Sequence, residues 1–282
     1  MAVLSVAGFW ATYDAWYDLA YTGFHDEESS HVLLAPIAFI WIFLARRAAL
    51  QSVVVRRQWV GPLIVVAGWA LWSTGYRHQL HTLWHLGAIG VLVGGIVSVY
   101  GTDLLIRFLP AFGALLFLIP MAGERRQQFS APMQLVTARI TQAICETFGM
   151  VVERQGSLIT ANGVAVAIAE ACNGMRMVIT LVIVSYLYAF TTPLRAYVRW
   201  LLLLASPVLA VVCNVIRLVP TVWMFAHTST QTAERFHDIS GWVMLLVAFG
   251  LLMLGVHLLR WLMLPVDLPP STPLVEGLVQ PC

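Results

Sequence analysis

Apolar side chains are gathered into long runs that are separated by short polar stretches. About twenty apolar residues cross a lipid bilayer, and fewer suffice when polar ends reach the headgroups. On that criterion the sequence predicts seven membrane-spanning helices, over residues 31–45, 59–75, 83–100, 104–121, 176–192, 197–216 and 239–262. The predicted fold class is therefore all-α and polytopic, with about seven to eight transmembrane helices in a single integral-membrane domain over residues 1–262.

The two ends of the chain do not fit this pattern. Residues 1–30 are rich in aromatic side chains and end in the acidic run Asp26-Glu27-Glu28. Asp14 and Asp18 should interrupt any spanning helix, so we expect an interfacial segment with its rings at headgroup level. A degenerate first span is the alternative. Residues 263–282 are rich in proline, and we expect a disordered tail there.

The one sizeable polar region is residues 122–175. Within it, residues 130–149 predict an amphipathic helix that ends at Gly149 and lies on the membrane surface. Its apolar stripe consists of Met133, Val136, Ile140, Ile144 and Phe148. Short runs with glycine-containing turns then predict a small β-meander over residues 151–168, with an Asn162-Gly163 turn. The last of these strands leads directly to Glu170 and Cys172.

Composition excludes several classes of protein. The chain is 60% hydrophobic and 11% charged, with a mean hydropathy of +0.81, which is too apolar for a soluble domain of this size. Its net charge is +2 and its arginines are scattered, so no nucleic-acid partner is predicted. The sequence contains no lysine, which excludes a Ser–Lys dyad and a Schiff-base lysine. The four cysteines lack the spacing of a zinc site, and we predict no metal or other cofactor.

Arginines predict the orientation of the chain. Arg46, Arg47, Arg56 and Arg57 surround one short loop, which should therefore be cytoplasmic. Alternation of the spans then places residues 101–107 and 192–199 inside, and residues 122–175 and 217–238 outside.

Cys172 lies where the polar region gives way to the span at residues 176–192. The N-terminus of a helix has unsatisfied N–H groups and a partial positive charge, which favour a thiolate. A reactive cysteine is therefore one interpretation. A small, buried and inert side chain is the other.

Two further polar clusters interrupt the apolar pattern on the same predicted side. Asn214 and Arg217 lie three residues apart at the outer end of a predicted span, so they share a helix face, and Pro220 should limit how far that helix continues. An arginine inside a span is costly and tends to mark function, although an arginine at a helix end can also extend to the interface. His237 lies in the second cluster, at the outer start of the last span, where an imidazole can titrate near neutral pH.

Together the three residues suggest acyl transfer. A cysteine nucleophile needs a base to form the thiolate, which His237 can supply. The developing oxyanion needs a positive partner, which Arg217 can supply. All three are predicted at one membrane level.

The sequences Glu-Ala-Cys-Asn-Gly-Met-Arg at 170–176, Asn-Val-Ile-Arg at 214–217 and His-Asp-Ile-Ser-Gly at 237–241 resemble the exosortase/archaeosortase family of membrane transpeptidases. The surface helix, the meander, and the N-terminal aromatic stretch followed by His31 also resemble the family, so the resemblance covers about residues 15–262. It implies Cys172 as nucleophile, Arg217 as oxyanion or thiolate partner and His237 as acid and base. The supporting residues that it implies are Glu170, Asn173, Gly174, Arg176, Asn214, Asp238 and Gly241.

The resemblance implies an enzyme that cleaves a C-terminal sorting signal, made of a short motif, a membrane helix and a basic tail, from exported surface proteins through a thioacyl intermediate. It also implies a prokaryotic plasma membrane, with the active site on the extracytoplasmic side. Two features depart from the family: the first span is lost or degenerate, and Asn173 replaces the usual serine after the cysteine. The substrate motif, the acceptor and the oligomeric state are not predicted.

An alternative function rests on three histidines. His78, His81 and His85 have the spacing i, i+3 and i+7, which would place them on one helix face. Such a row could bind haem or a metal ion in a redox or transport protein. Three interfacial histidines beside Trp84 are the simpler interpretation.

Overall fold

The computed structural model describes residues 8–55, 59–120, 123–161, 163–167 and 174–261, which form ten α-helices and one small sheet. The helices are α1 Tyr13–His25, α2 Leu34–Ala45, α3 Val60–Arg77, α4 His81–Tyr100, α5 Thr102–Arg107, α6 Leu109–Ala114, α7 Gly123–Thr147, α8 Gly174–Thr191, α9 Ala196–His227 and α10 Thr230–Trp261. The strands are β1 Val152–Gln155, β2 Leu158–Ala161 and β3 Val164–Ala167. Short 3-10 segments cover Glu27–Leu33, Arg47–Ser52 and Leu115–Leu118.

Three of the described helices, namely α4, α9 and α10, are long and apolar enough to cross a membrane. Shorter apolar helices cover Ser29–Ala45, Leu109–Leu118 and Met175–Thr191. The prediction of a largely helical membrane protein is therefore confirmed. The predicted continuous span at 104–121 is wrong, because the chain there divides into α5, α6 and a 3-10 segment. Pro110 lies in the first turn of α6 and cannot donate the N–H bond that would continue α5.

Helices α3 and α4 form a closely packed hairpin. Gly61, Gly68 and Gly75 line the buried face of α3 at intervals of seven residues. A Cβ atom at Gly68 would lie 2.6 Å from the backbone nitrogen of Val91 on α4. Small residues allow this approach of two backbones, which is a common way of joining helices in a membrane.

The N-terminal segment contains helix α1, which is not one of the described helices that are long and apolar enough to cross a membrane. Asp18 lies within helix α1 and accepts a hydrogen bond from Nε2 of the buried His85 on α4, at 2.9 Å. The carboxylate therefore does not break the helix, because it has a partner in a helix packed against α1. The aromatic face predicted for this segment is present, with Tyr13, Tyr17 and Tyr21 all exposed.

Three loops meet at one end of the helices. Arg46 donates hydrogen bonds to the carbonyl oxygens of Arg107 and Phe190, and Val54 donates one from its backbone to Asp103. The loops that contain residues 46–55, 101–107 and 190–199 therefore share one end, as alternation of the spans requires.

Helix α7 and the sheet lie near the other end. The three strands form an antiparallel meander in the order β1-β2-β3, with Val152 opposite Ala161 and Leu158 opposite Ala167. The predicted meander is confirmed. Helix α7 begins before the predicted residue 130, and its chain reverses at Gly149, which has a φ of +77°. This φ lies in the left-handed region of backbone conformations, which glycine adopts more easily than other residues because it has no Cβ atom.

Helices α9 and α10 form a long hairpin that turns at Thr228 and Ser229. The prediction that Pro220 limits the first of these helices is wrong, since α9 continues through Pro207 and Pro220 to His227. Likewise α10 begins at Thr230, so His237 lies inside the helix and not at its start. Neighbouring helices stabilise a membrane helix in which proline has removed a hydrogen bond.

Candidate functional site

Helix α8 is described from Gly174, two residues after the predicted nucleophile. Cys172, Glu170 and Asn173 lie outside the described residues. Their predicted roles are therefore not tested by the geometry. The helix that was predicted to follow Cys172 is present.

Arg217 is buried on α9, ten residues before this helix ends at His227. Its side chain is 8% exposed, and Nη2 donates a hydrogen bond to Oδ1 of Asn214 at 3.1 Å. The two residues share one face of the helix, as predicted. The Nε–H group of Arg217 is also buried, and no acceptor contacts it among the described residues. Since an unsatisfied buried N–H group is unfavourable, this group is available to an anionic or carbonyl oxygen.

His237 projects from α10 toward the same region. It is close enough to Arg217 for the two side chains to interact electrostatically. Its Nδ1 atom is buried and has no hydrogen-bond partner in the described part of the chain. Asp238, which was predicted to support the site, is exposed on α10.

Gly241 allows α10 to approach the guanidinium. A Cβ atom built at this position would lie 3.0 Å from Nη1 of Arg217. Gly241 follows His237 by one helical turn, so both residues lie on the face of α10 that is turned toward Arg217.

The first turn of α8 reaches this same part of α10. The guanidinium of Arg176 lies over the ring of Trp242, 5.9 Å from its centroid. Met177 packs in one buried cluster with Cys213 of α9 and Ala248 of α10. The beginning of α8 therefore converges with the two helices that carry Arg217 and His237.

Trp242 was not among the predicted site residues. Its only sequence signal is that it follows Gly241 directly. A cation–π partner for Arg176 on another helix could not be identified from spacing along the chain, because the two residues belong to different predicted spans.

This arrangement suits a reaction in which negative charge develops. A buried guanidinium with a free N–H group can stabilise an oxyanion or a thiolate. An imidazole within electrostatic reach can hold or transfer a proton. Among the described residues, no three His, Cys, Asp or Glu side chains converge in a way that could hold a metal ion.

The predicted histidine row is wrong. Helix α3 ends at Arg77, and His78 lies in the turn before α4, where Gln79 has a φ of +55°. Only His81 and His85 lie on α4. The turn removes His78 from their helix face, and His85 is already bonded to Asp18.

The comparisons with known proteins concern nearly the whole chain. A family model described as transmembrane exosortase matches residues 16–254. No curated protein and no solved structure matches the chain significantly. The matched segment includes the three sequence motifs and all of the described elements from α2 to α9. The chain belongs to the transmembrane exosortase family.

Proposed function

We propose that the protein is a membrane-embedded cysteine transpeptidase or protease that cleaves C-terminal sorting signals from exported surface proteins. The observation that carries this proposal is the buried Arg217, which lies within electrostatic reach of His237 and whose Nε–H group has no acceptor among the described residues. A cation buried in a span is costly and is typical of functional sites.

In this mechanism His237 accepts the proton of the Cys172 thiol, and the resulting thiolate attacks the carbonyl carbon of the scissile peptide bond. Arg217 stabilises the oxyanion of the tetrahedral intermediate through its free N–H group. The intermediate collapses to a thioacyl enzyme, and His237 gives a proton to the departing amine. An amine or water then attacks the thioester, with His237 accepting its proton, and the thiol is restored.

The family and the place of the site both support this substrate class. Arg217 lies in the second half of α9, which is long and apolar enough to span a membrane, so a peptide bond next to a substrate's membrane helix could reach it. We propose that this end faces the extracytoplasmic side of a prokaryotic plasma membrane, with the arginine-containing loops at 46–55 and 190–199 in the cytoplasm. The substrate's basic tail would then lie at the cytoplasmic end.

Replacing Cys172 in the native host tests this function. Cys172→Ala should cause uncleaved surface proteins to accumulate in the membrane, and Cys172→Ser should also fail because a hydroxyl is a poor substitute for a thiolate. Cys145→Ala and Cys213→Ala are the matched controls, because both of these thiols are buried in the packing of the helices. Full processing by Cys172→Ala at normal abundance would contradict the proposal.

A further inference from the structure

A groove lies between the last turns of α9 and the turn that joins α7 to β1. Its volume is about 590 Å³, within the range of about 300–1,000 Å³ that is typical of small-ligand sites. One wall is formed by Val219, Pro220 and Trp223 of α9, and the other by Phe148 and Val151 after helix α7. The groove is thus a separate feature, which Arg217 and His237 do not line.

The lining of this groove is apolar and open to the surroundings. Trp223 is 48% exposed, and Phe148 and Val151 are 75% and 80% exposed. Among the described residues that line it, the only titratable side chain is His227, at the end of α9. Apolar groups in such numbers are rarely left in contact with water, so they indicate an apolar occupant.

The groove continues the apolar outer surface of a membrane helix. Leu204, Val208, Val212 and Ile216 are exposed at intervals of four residues along α9. Because α9 is long and apolar enough to cross the membrane, this stripe faces lipid tails. Val219 and Trp223 extend the same stripe by two further helical turns, into the groove.

We propose that the groove binds one acyl chain of a phospholipid from the leaflet at the Arg217 end of the bundle. The chain would pass from the α9 stripe into the space between α9 and the turn after α7. The acyl chain would cover the exposed apolar surfaces of Trp223 and Phe148. By contacting both, it would hold α7 and the meander against α9. His227 lies where α9 ends, at the level at which a headgroup would emerge.

A membrane helix of a substrate does not fit this position. Successive residues of a helix are turned by about 100°, which places Val219 and Trp223 on the side of α9 away from Arg217 and Thr221. Arg217 and Thr221 are buried, whereas Trp223 is exposed. A helix seated in the groove would be separated from Arg217 by α9 itself. The lipid site therefore does not depend on the proposed enzymatic function.

Photolabelling of the full-length protein tests the lipid site. The purified protein is placed in vesicles of phosphatidylethanolamine and phosphatidylglycerol that contain a phospholipid with a diazirine in its acyl chain. After irradiation, labelled residues are mapped by mass spectrometry. We expect labels within 219–227 and 148–151, in addition to labels on the exposed stripe from Leu204 to Ile216.

Two variants make the result specific. Ala226→Trp places an indole in the groove and should remove most of the groove label while the label on the stripe persists. Leu204→Trp adds the same bulk at the stripe and should leave the groove label unchanged. Should Ala226→Trp fail to fold, Val219→Trp fills the groove from the α9 wall.

Three outcomes would overturn the proposal. The first is that the probe labels the stripe from Leu204 to Ile216 but not the groove. The second is that labelling of the groove persists in both Ala226→Trp and Val219→Trp. The third is displacement of the groove label alone by a synthetic apolar helix of about twenty residues, long enough to span a bilayer. That result would make the groove a docking surface for protein.

Discussion

Arg217 donates a hydrogen bond from Nη2 to Oδ1 of Asn214, which lies one turn earlier on the same helix at 3.1 Å. This bond restrains the guanidinium on one side, while Gly241 of α10 lies against it on another. No described residue accepts a hydrogen bond from the Nε–H group on the remaining side. The orientation of Arg217 is therefore set by two residues that carry no chemistry of their own.

Asn214 should act by positioning Arg217. Asn214→Leu removes the acceptor and leaves a second N–H group of a buried cation unsatisfied, which typically costs about 1–3 kcal/mol. We expect a lower melting temperature and a strong loss of substrate processing. Asn214→Asp retains an oxygen acceptor and should process more substrate than Asn214→Leu. Equal processing by the leucine variant and the natural protein would exclude the positioning role.

Gly241→Ala should impair processing without unfolding the protein. The added methyl group would press on Nη1 of Arg217 from 3.0 Å, and the guanidinium must move by a few tenths of an ångström. Alanine is favoured over glycine within a helix by about 1 kcal/mol, so stability should not fall.

Gly250→Ala is the matched control for this substitution. Gly250 lies on the same helix, and no heavy atom of the described residues would come within 4 Å of a Cβ atom there. We expect normal processing by Gly250→Ala and reduced processing by Gly241→Ala, measured as the ratio of precursor to product. Indistinguishable ratios would show that Gly241 does not restrain Arg217.

Thiol labelling should distinguish Cys172 from the two buried cysteines. Cys145 and Cys213 are fully buried, and burial raises the pKa of the Cys145 thiol, which keeps it protonated and unreactive at neutral pH. We expect a membrane-impermeant maleimide to label Cys172 on intact cells or spheroplasts. A Cys282→Ser background removes the thiol of the C-terminal tail. Labelling only after permeabilisation would reverse the proposed orientation.

The bond between Asp18 and His85 should contribute to the stability of the helical bundle. Asp18→Ala leaves the buried imidazole without its acceptor, and we expect a loss of about 1–2 kcal/mol, since Asp18 is itself partly exposed. Asp14→Ala, one turn earlier and exposed, is the control. Thermal unfolding in detergent measures both. Equal melting temperatures for the two variants would mean that the bond contributes little.

The features that were predicted correctly depend on neighbours in the sequence. The β-meander follows from short runs and turn glycines within about fifteen residues. The pairing of Asn214 with Arg217 follows from a spacing of three on one helix. Both patterns are local, so composition and periodicity are sufficient to find them.

The features that were missed depend on contacts between distant residues. The bond between Asp18 and His85 was not predicted, because the two residues lie on different helices. Pro220 was expected to limit α9, yet the packing of neighbouring helices keeps α9 continuous to His227. The contact between Arg176 and Trp242 could be identified only in the folded structure, where α8 lies next to α10. Spacing alone cannot reveal such tertiary contacts.

A conservative control for Arg217 must be an arginine with no structural role. Arg199 is unsuitable, because its Nε and Nη2 atoms donate to the carbonyl oxygens of Ala189 and Leu194, and its guanidinium lies 4.7 Å from the ring centroid of Phe190. Lysine cannot reproduce that planar set of contacts. Arg235 is exposed on α10, close in sequence to His237, and is the better control.

The rate of substrate cleavage by Arg217→Lys tests the central claim most directly. The substrate is a surface protein that accumulates uncleaved in the Cys172→Ala strain, and Arg235→Lys is measured beside it at equal abundance. Loss of one oxyanion donor typically lowers a rate by about 10²–10³-fold, so we expect that loss for Arg217→Lys and normal cleavage for Arg235→Lys. Near-normal cleavage by Arg217→Lys would contradict the assignment of Arg217 to catalysis.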